Sequence, residues 1–323
     1  MVVNLKHIIY CCKQQTIHDR RLVDSLKMKF KVDLLELDNK ALCEKLDRTI
    51  EYFAVIASPT SLDFDYLGIK ANHRILLSMG YDLNEQIGNL RYREIITRNF
   101  SSASLVVVDN PILRTVVVND IGYHGPVFMM PYGCEIQRFI DTDGPNRNVL
   151  GTNRSISTIH NNSMIIDAVS KLEPSSYGGF VFVKHGPDSE EFVLKNQRLL
   201  SGIPYEMLIG GNEKTTIEFL SKIDIFVSAS RSDGSSVSLL EAMAAGKICL
   251  VTRNPFNEYW IKDGVNGFTF NNDELSLLEK IKTVLSIPFE HRRQISIKAK
   301  ARVEDEADWN HNSQKFRDLI ETL

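Results

Sequence analysis

Short apolar runs alternate with longer stretches of helical periodicity along most of the chain, the pattern expected of a parallel-sheet α/β protein. HIIYCC (7–12), KVDLLEL (31–37), AVIASP (54–59), RILLSM (74–79), SLVVVD (104–109) and PVFMMP (126–131) predict successive strands. Between them, DRRLVDSLKMKF (19–30) and NKALCEKLDRTIEYF (39–53) predict helices. Around RFIDTDGPNRN (138–148) the pattern breaks into Asp, Gly, Pro and Asn, a loop composition. It restarts with VLGTN (149–153), FVFVKH (180–185), YEMLIG (205–210), DIFVSAS (224–230), KICLVT (247–252) and NGFTF (266–270) as strands. Two Rossmann-like domains follow, residues 1–145 and 146–323. The tail from His291 onward predicts charged helix with Trp309, Phe316 and Leu319 as packing anchors, and it is placed to pack back on the first domain. Ligands of open α/β sheets bind beyond the carboxyl ends of the strands, so the chemistry is expected in a central cleft that both parallel sheets face.

A length of 323 residues suits two domains. The net charge of −3 excludes the strongly basic surface that nucleic-acid binding calls for. No apolar run approaches the roughly 20 residues of a membrane span, and the start, MVVNLKHIIYCC, lacks a signal-peptide pattern; the expected location is cytoplasmic. The five cysteines, Cys11, Cys12, Cys43, Cys134 and Cys249, lack paired metal-site spacing and read as reduced core thiols. No metal site and no cofactor are expected.

The densest chemical signal is SRSDGSSVSLLEAMAAGKICLV, from Ser230 to Val251. DIFVSAS predicts a strand, SVSLLEAMAA a helix, Gly246 its stop and KICLVT the next parallel strand. The loop between strand and helix suits a phosphate, because Gly234 permits unusual backbone angles and the amides near Ser235, Ser236 and Val237 lie at the positive end of the helix dipole. Asp233 and Glu241 are eight residues apart, too far for a shared proton or metal, and fit hydrogen bonds to different hydroxyls of one extended ligand. Taken singly, Asp233 and Ser235 equally suit an ordinary helix start.

With these residues in view, the chain resembles the family-4-type retaining glycosyltransferases of the GT-B fold. Their Glu, seven residues, Glu motif followed by Ala-Met-small-Gly is matched by DGSSVSLLEAMAAG, with Asp233 in the first place and Glu241 in the second. NEYWIKDGVNGFTF, FVFVKHGPDSEEF, YEMLIGGNEKTTIEFLSKIDIFVSAS, PVFMMPYGCEIQRF and ADWNHNSQKF resemble further family segments in the same order. The resemblance covers most of residues 104–323. It implies transfer of a sugar from a nucleotide-diphosphate donor with retention at the anomeric carbon and without metal. It places Glu241 on the ribose hydroxyls, Asp233 on the sugar, and the backbone of Gly234, Ser235, Ser236 and Val237 on the sugar and distal phosphate. His185 and Gly210, at the KHGPD and LIGG turns, are implied near the base. The family's Arg and Lys pair for the diphosphate corresponds to Arg154 and His160 in GTNRSISTIHNN. A metal-free leaving diphosphate needs such fixed positive charge.

The first hundred residues share only the strand pattern. The first loop, CCKQQTIHD, has no glycine, and Gln15 is its candidate for lining the cleft. RILLSMGYDLNE resembles the family's His-Gly-x-Asp place with Met79 for His, which makes Tyr81 and Asp82 acceptor-side candidates; both also suit a strand end followed by a helix cap. Residues 20–31 carry Arg20, Arg21, Lys27, Lys29 and Lys31 among apolar residues, a pattern that suits either a helix packed on the sheet or peripheral contact with an inner membrane face. The leading expectation is a retaining hexosyltransferase acting on a glycan, glycolipid or small-molecule hydroxyl by front-face substitution. The alternative from another class is a non-catalytic nucleotide-sugar-binding or partner subunit of the same fold.

Overall fold

In the computed structural model the described residues are 5–64, 67–139 and 147–323. The chain divides into two compact units, one formed by Met1–Tyr132 with Trp309–Leu323 and the other by Gly133–Asp308. The 145/146 boundary expected from sequence falls in residues 140–146, outside the described residues.

The first unit holds six parallel strands: β1 (His7–Cys12), β2 (Lys31–Glu36), β3 (Glu51–Ser58), β4 (Lys70–Ser78), β5 (Leu105–Val108) and β6 (Val127–Met129), in the order β2-β1-β3-β4-β5-β6. The second holds β7 (Val149–Thr152), β8 (Gly179–Lys184), β9 (Tyr205–Ile209), β10 (Ile225–Ser228), β11 (Ile248–Thr252) and β12 (Phe268–Phe270), in the order β12-β11-β10-β7-β8-β9. Every strand pairing is parallel. In a parallel sheet both faces are covered by crossover helices. This is why β7, β10 and β11 are buried at every position and read as unbroken apolar runs. Two apolar clusters form the core of the second unit, one around Leu150, Ile165, Phe180 and Leu250, the other around Phe219, Phe226, Leu240 and Val251.

Three sequence expectations change. The predicted helix 39–53 is only Lys40–Glu44, and Tyr52 and Phe53 belong to β3. The Asp47 carboxylate accepts from the backbone N–H and hydroxyl of Thr49, forming a local turn that competes with helix propagation. The charged tail is two helices, Phe289–Glu306 and Trp309–Thr322, split at the boundary between the units. The second is anchored by Trp309, Phe316 and Ile320, with Leu319 only half-buried. Within the first unit, Trp309 stacks on Tyr132 and Phe316 on Phe128.

That terminal helix also covers the basic helix Ile17–Lys27. Arg21 lies over the Trp309 ring at 4.6 Å, and Lys29 pairs with Asp318 at 2.8 Å and with Glu321. Leu22, Val23, Leu26 and Phe30 are all buried, so this apolar face packs into the core, with Ile17 and Met28 exposed. Among the described residues, no helix is long and apolar enough to cross a membrane. The cysteines are free, four of them buried and Cys43 half-buried; burial raises the Cys11 and Cys249 thiols far above their ordinary value.

Gly133 shows a steric constraint inside the second unit. Its φ is +57°, and a Cβ built there would sit 1.9 Å from the carbonyl oxygen of Ala307, the residue to which Cys134 N–H bonds at 3.1 Å. Gly133→Ala is expected to lower the thermal unfolding midpoint and to cost about 2 kcal/mol or more, from the left-handed backbone together with the displaced contact. An unchanged melting curve contradicts this assignment.

Candidate active site

Sheet topology determines where side chains of the second unit converge. β7 lies between β8 and β10, and the chain builds outward from β7 to β9 before returning to the other side at β10. The crevice at such a reversal lies beyond the carboxyl ends of the two flanking strands. β7 there delivers Asn153 and Arg154, and β10 delivers the loop to Asp233 and Ser236.

Arg154 is 8 % exposed. Its guanidinium donates to Ser236 Oγ at 2.6 Å through one terminal nitrogen; the other terminal nitrogen pairs with the Asp233 carboxylate and donates to His160 Nε2 at 2.7 Å. The remaining oxygen of Asp233 accepts from Gly234 N–H at 3.0 Å. A buried guanidinium without such partners would carry a large desolvation cost. Its Nε is buried with no partner among the described residues.

The form of His160 follows from these contacts. Arginine only donates, so Nε2 must carry a lone pair. Nδ1 must then hold the proton, and it lies 2.7 Å from the carbonyl oxygen of Ser155, with Ser157 Oγ at 3.1 Å. The imidazole is therefore neutral. Burial first, and the Arg154 charge second, push its pKa down from 6.5 to about 4. The residue in the expected lysine place is thus a hydrogen-bond acceptor for Arg154 in the ligand-free protein.

The helix Val237–Ala244 begins with Ser236 as its N-cap, whose hydroxyl accepts from Leu239 N–H at 3.4 Å while also accepting from Arg154. The amides of Val237 and Ser238 at its first turn have no partner within the helix. Glu241 lies further along the helix and is half-buried. Ser235 is buried, and its hydroxyl accepts from the Trp260 indole N–H at 3.1 Å. Trp260 therefore braces the loop, a role that its sequence segment signalled only by lying in NEYWIKDGVNGFTF. His185 follows β8 and donates through Nε2 to the carbonyl of Asn153 at 2.9 Å. The next residue, Gly186, has φ +103°, and a Cβ there would fall 2.4 Å from Ser155 Oγ, so only glycine lets this turn close on the Arg154 loop. Gly210 follows β9, half-buried with φ +105°, and its N–H donates to the carbonyl of Lys184. Structure thus brings Arg154, His160, Asp233 and Ser236 into contact, with His185 bonded to the neighbouring backbone.

In the first unit, Gln15, Tyr81 and Asp82 all follow carboxyl ends of strands. Gln15 is half-buried in the loop after β1, and Tyr81 is 58 % exposed at the start of a short helix. Asp82 is different: it is 1 % exposed, and its oxygens accept from Thr60 N–H at 2.8 Å, Ser78 Oγ at 2.7 Å and the Thr60 hydroxyl. These bonds make it a clamp between the segments that follow β3 and β4. Among the described residues no three His, Cys, Asp or Glu side chains group as a metal site.

The family model described as "Glycosyl transferases group 1" matches residues 136–302. No curated protein matches the chain by sequence. Among solved structures, HepE from Anabaena in complex with UDP and glucose is similar at 15 % identity, covering 98 % of this chain and 100 % of that one, with a TM-score of 0.79. Sucrose-phosphate synthase from Thermosynechococcus elongatus is similar at 13 % identity over 98 % of each chain, TM-score 0.78. A glycosyltransferase from Rickettsia africae is similar at 13 % identity over 99 % and 98 %, TM-score 0.72. The two six-stranded parallel sheets, their flanking helices and the C-terminal helix are the GT-B fold.

The depressed pKa of His160 has a signed consequence. Between about 4 and 6.5 the unfolded chain binds a proton there that the folded protein does not, so this group's contribution to stability is full above 6.5 and is lost as pH falls through about 4. Nitrogen-15 NMR should find a neutral Nδ1–H imidazole at pH 7, and Arg154→Gln should raise its titration midpoint. A midpoint at or above 6.5 in the intact protein contradicts the assignment. Asp82→Ala, in contrast, should lower stability by about 2–3 kcal/mol through the loss of hydrogen bonds to a buried carboxylate, read as a reduced denaturation midpoint.

Proposed function

The chain belongs to the glycosyl transferases group 1 family, and on that premise we propose that it moves a sugar from a nucleotide-diphosphate donor to a hydroxyl acceptor with retention at the anomeric carbon and without a metal ion. The observation that carries this reading is the buried guanidinium of Arg154 held against Asp233 and Ser236, beside the open N-terminus of the helix Val237–Ala244.

In this reading the helix amides and Arg154 receive the diphosphate, and Glu241 receives the ribose hydroxyls. Asp233 exchanges part of its contact with Arg154 for the sugar's hydroxyls when the donor arrives. As the bond from the anomeric carbon to the phosphate oxygen breaks, both electrons go to that oxygen, and Arg154 stabilises the growing charge. The acceptor oxygen bonds to the same face of the carbon and its proton passes to the departing phosphate oxygen, so no covalent enzyme intermediate forms. His160 answers the charge in a second way. A diphosphate docked beside it favours its protonated form, so that the imidazole becomes a donor while the anion is bound. The solved complexes of HepE with UDP and with UDP-glucose make uridine donors the first to test. A glycan, glycolipid or small-molecule hydroxyl serves as acceptor, and the cytoplasm, where nucleotide sugars are made, is the proposed setting.

UDP-, GDP- and ADP-sugars should be screened by thermal shift, followed by assays of donor hydrolysis and transfer. Arg154→Ala is expected to lower kcat at least a hundredfold, and Glu241→Ala to raise KM more than it lowers kcat. Donor binding without turnover for every donor and acceptor pair leaves a non-catalytic binding subunit; no nucleotide binding at all removes both readings. His160→Lys should keep activity and flatten its decline toward alkaline pH, because the lysine holds its charge where histidine loses it. An identical pH profile in both proteins is the result that counts against a charged His160 in the bound state.

A further inference from the structure

A feature left unused by this chemistry lies at the other end of the second unit's sheet. A cavity of about 390 Å³ opens where the chain enters β10 and β11, lined by Asp224, Lys247 and one face of the helix Phe289–Glu306 carrying Phe289, Arg292, Arg293 and Lys300. Its volume is that of a small-molecule site. Four of these side chains are cationic and one is anionic. One oxygen of the Asp224 carboxylate already accepts from the amides of Arg147 and Val149, both at 2.9 Å, and neither Arg293 nor Lys300 makes an ion pair among the described residues.

Arg292 is the unusual member. It is 6 % exposed, yet among the described residues its side chain hydrogen-bonds only the neutral side chain of Asn148, at 2.7 Å, and its Nε has no partner. No carboxylate among them lies within ion-pair distance of it. Burial lowers its pKa, and the charge of Asp224, beyond ion-pair distance, offsets that only in part. A guanidinium in this state has a vacant place for an anion. Beside it, Lys247 is 4 % exposed, and the first turn of the helix Phe289–Glu306 begins at Pro288 without a side-chain cap, so its amides add partial positive charge.

We propose that this cavity is a second anion site, separate from the Arg154 site, that takes a phosphate- or diphosphate-bearing ligand with Arg292 as its buried contact and Arg293 and Lys300 as its outer ones. The ligand's source is either a soluble phosphate ester or a phospholipid headgroup reaching past the half-exposed Phe289 at the rim. The inference stands on the cavity alone and does not depend on the sugar-transfer reading.

Calorimetric titration of the full chain with inorganic pyrophosphate at fixed ionic strength tests it. The Arg293→Glu, Lys300→Glu double variant changes only surface-reaching side chains and so should fold; Arg292→Gln is the second probe. Binding should persist in Arg154→Gln, which is altered only at the other diphosphate site, and in that background it should weaken at least tenfold when either set of changes is added. Sedimentation with phosphatidate vesicles, against neutral vesicles, identifies the source: vesicle binding lost in the double variant assigns a headgroup, and pyrophosphate binding without vesicle binding assigns a soluble ligand. Equal affinity with and without these changes in the Arg154→Gln background, loss of binding in Arg154→Gln itself, or no binding in either arm overturns the proposal.

Discussion

A guanidinium buried at a strand end is the constraint on which the candidate site depends. Taking Arg154 out of water has a cost that only close partners can offset, and removing one of them would leave a buried charge uncompensated. Asp233, Ser236 and His160 each meet it from a different direction. Two of the three come from the loop after β10 and the third from the loop after β7. The loops therefore hold one another through the charge. Asp233 also takes Gly234 N–H, and Ser236 also caps the helix, so disturbing Arg154 would disturb the turn that opens the helix as well. Pre-organisation of this kind is what electrostatic catalysis requires, since donors already in place do not have to reorganise as charge develops.

That arrangement is available because the sheet is parallel and reverses its direction of growth at β7. All strands release their loops at one edge, and the reversal keeps helices from covering the crevice between β7 and β10. Glycine supplies the remaining condition. The turn after β8 presses its backbone against Ser155, the residue whose carbonyl fixes the His160 tautomer, and only Gly186 fits there. Sheet topology, a glycine turn and an imidazole proton thus form one chain of cause.

The strand pattern was legible because parallel strands buried on both faces must be apolar throughout, and each predicted run lies on an observed strand. The turn that opens the helix Val237–Ala244 was legible for a related reason: glycine and serine ahead of an apolar helical run mark a helix start. What sequence could not supply was the state of a side chain. Asp82 and Asp233 look alike in the chain, each in a loop beyond a strand, yet one is saturated by Thr60 and Ser78 and the other faces Arg154. Helix length failed at 45–53 because a local Asx-type turn at Asp47 outweighs helical periodicity. Arg292 was invisible for the same kind of reason. In RRQISIKAKAR it reads as one more solvated charge, and only the packing of its helix buries it.

Arg154 and Arg292 pose one electrostatic problem at opposite ends of one sheet and reach different solutions. Arg154 has a carboxylate in contact; among the described residues Arg292 hydrogen-bonds an asparagine, with the Asp224 carboxylate beyond ion-pair distance. A histidine beside Arg154 fits this contrast. A lysine at residue 160 would place a second fixed cation against a guanidinium already buried, and the empty site would bear that repulsion. Neutral imidazole removes the repulsion and serves Arg154 as an acceptor instead. On the proposed reading the cost appears on binding, because Nε2 of His160 must gain a proton before it can donate to an anion, and taking that proton from solvent becomes less favourable as pH rises. On that reading, histidine in place of lysine exchanges some affinity for anions at high pH for an ordered, uncrowded site at rest, and couples occupancy of the site to the proton concentration around it.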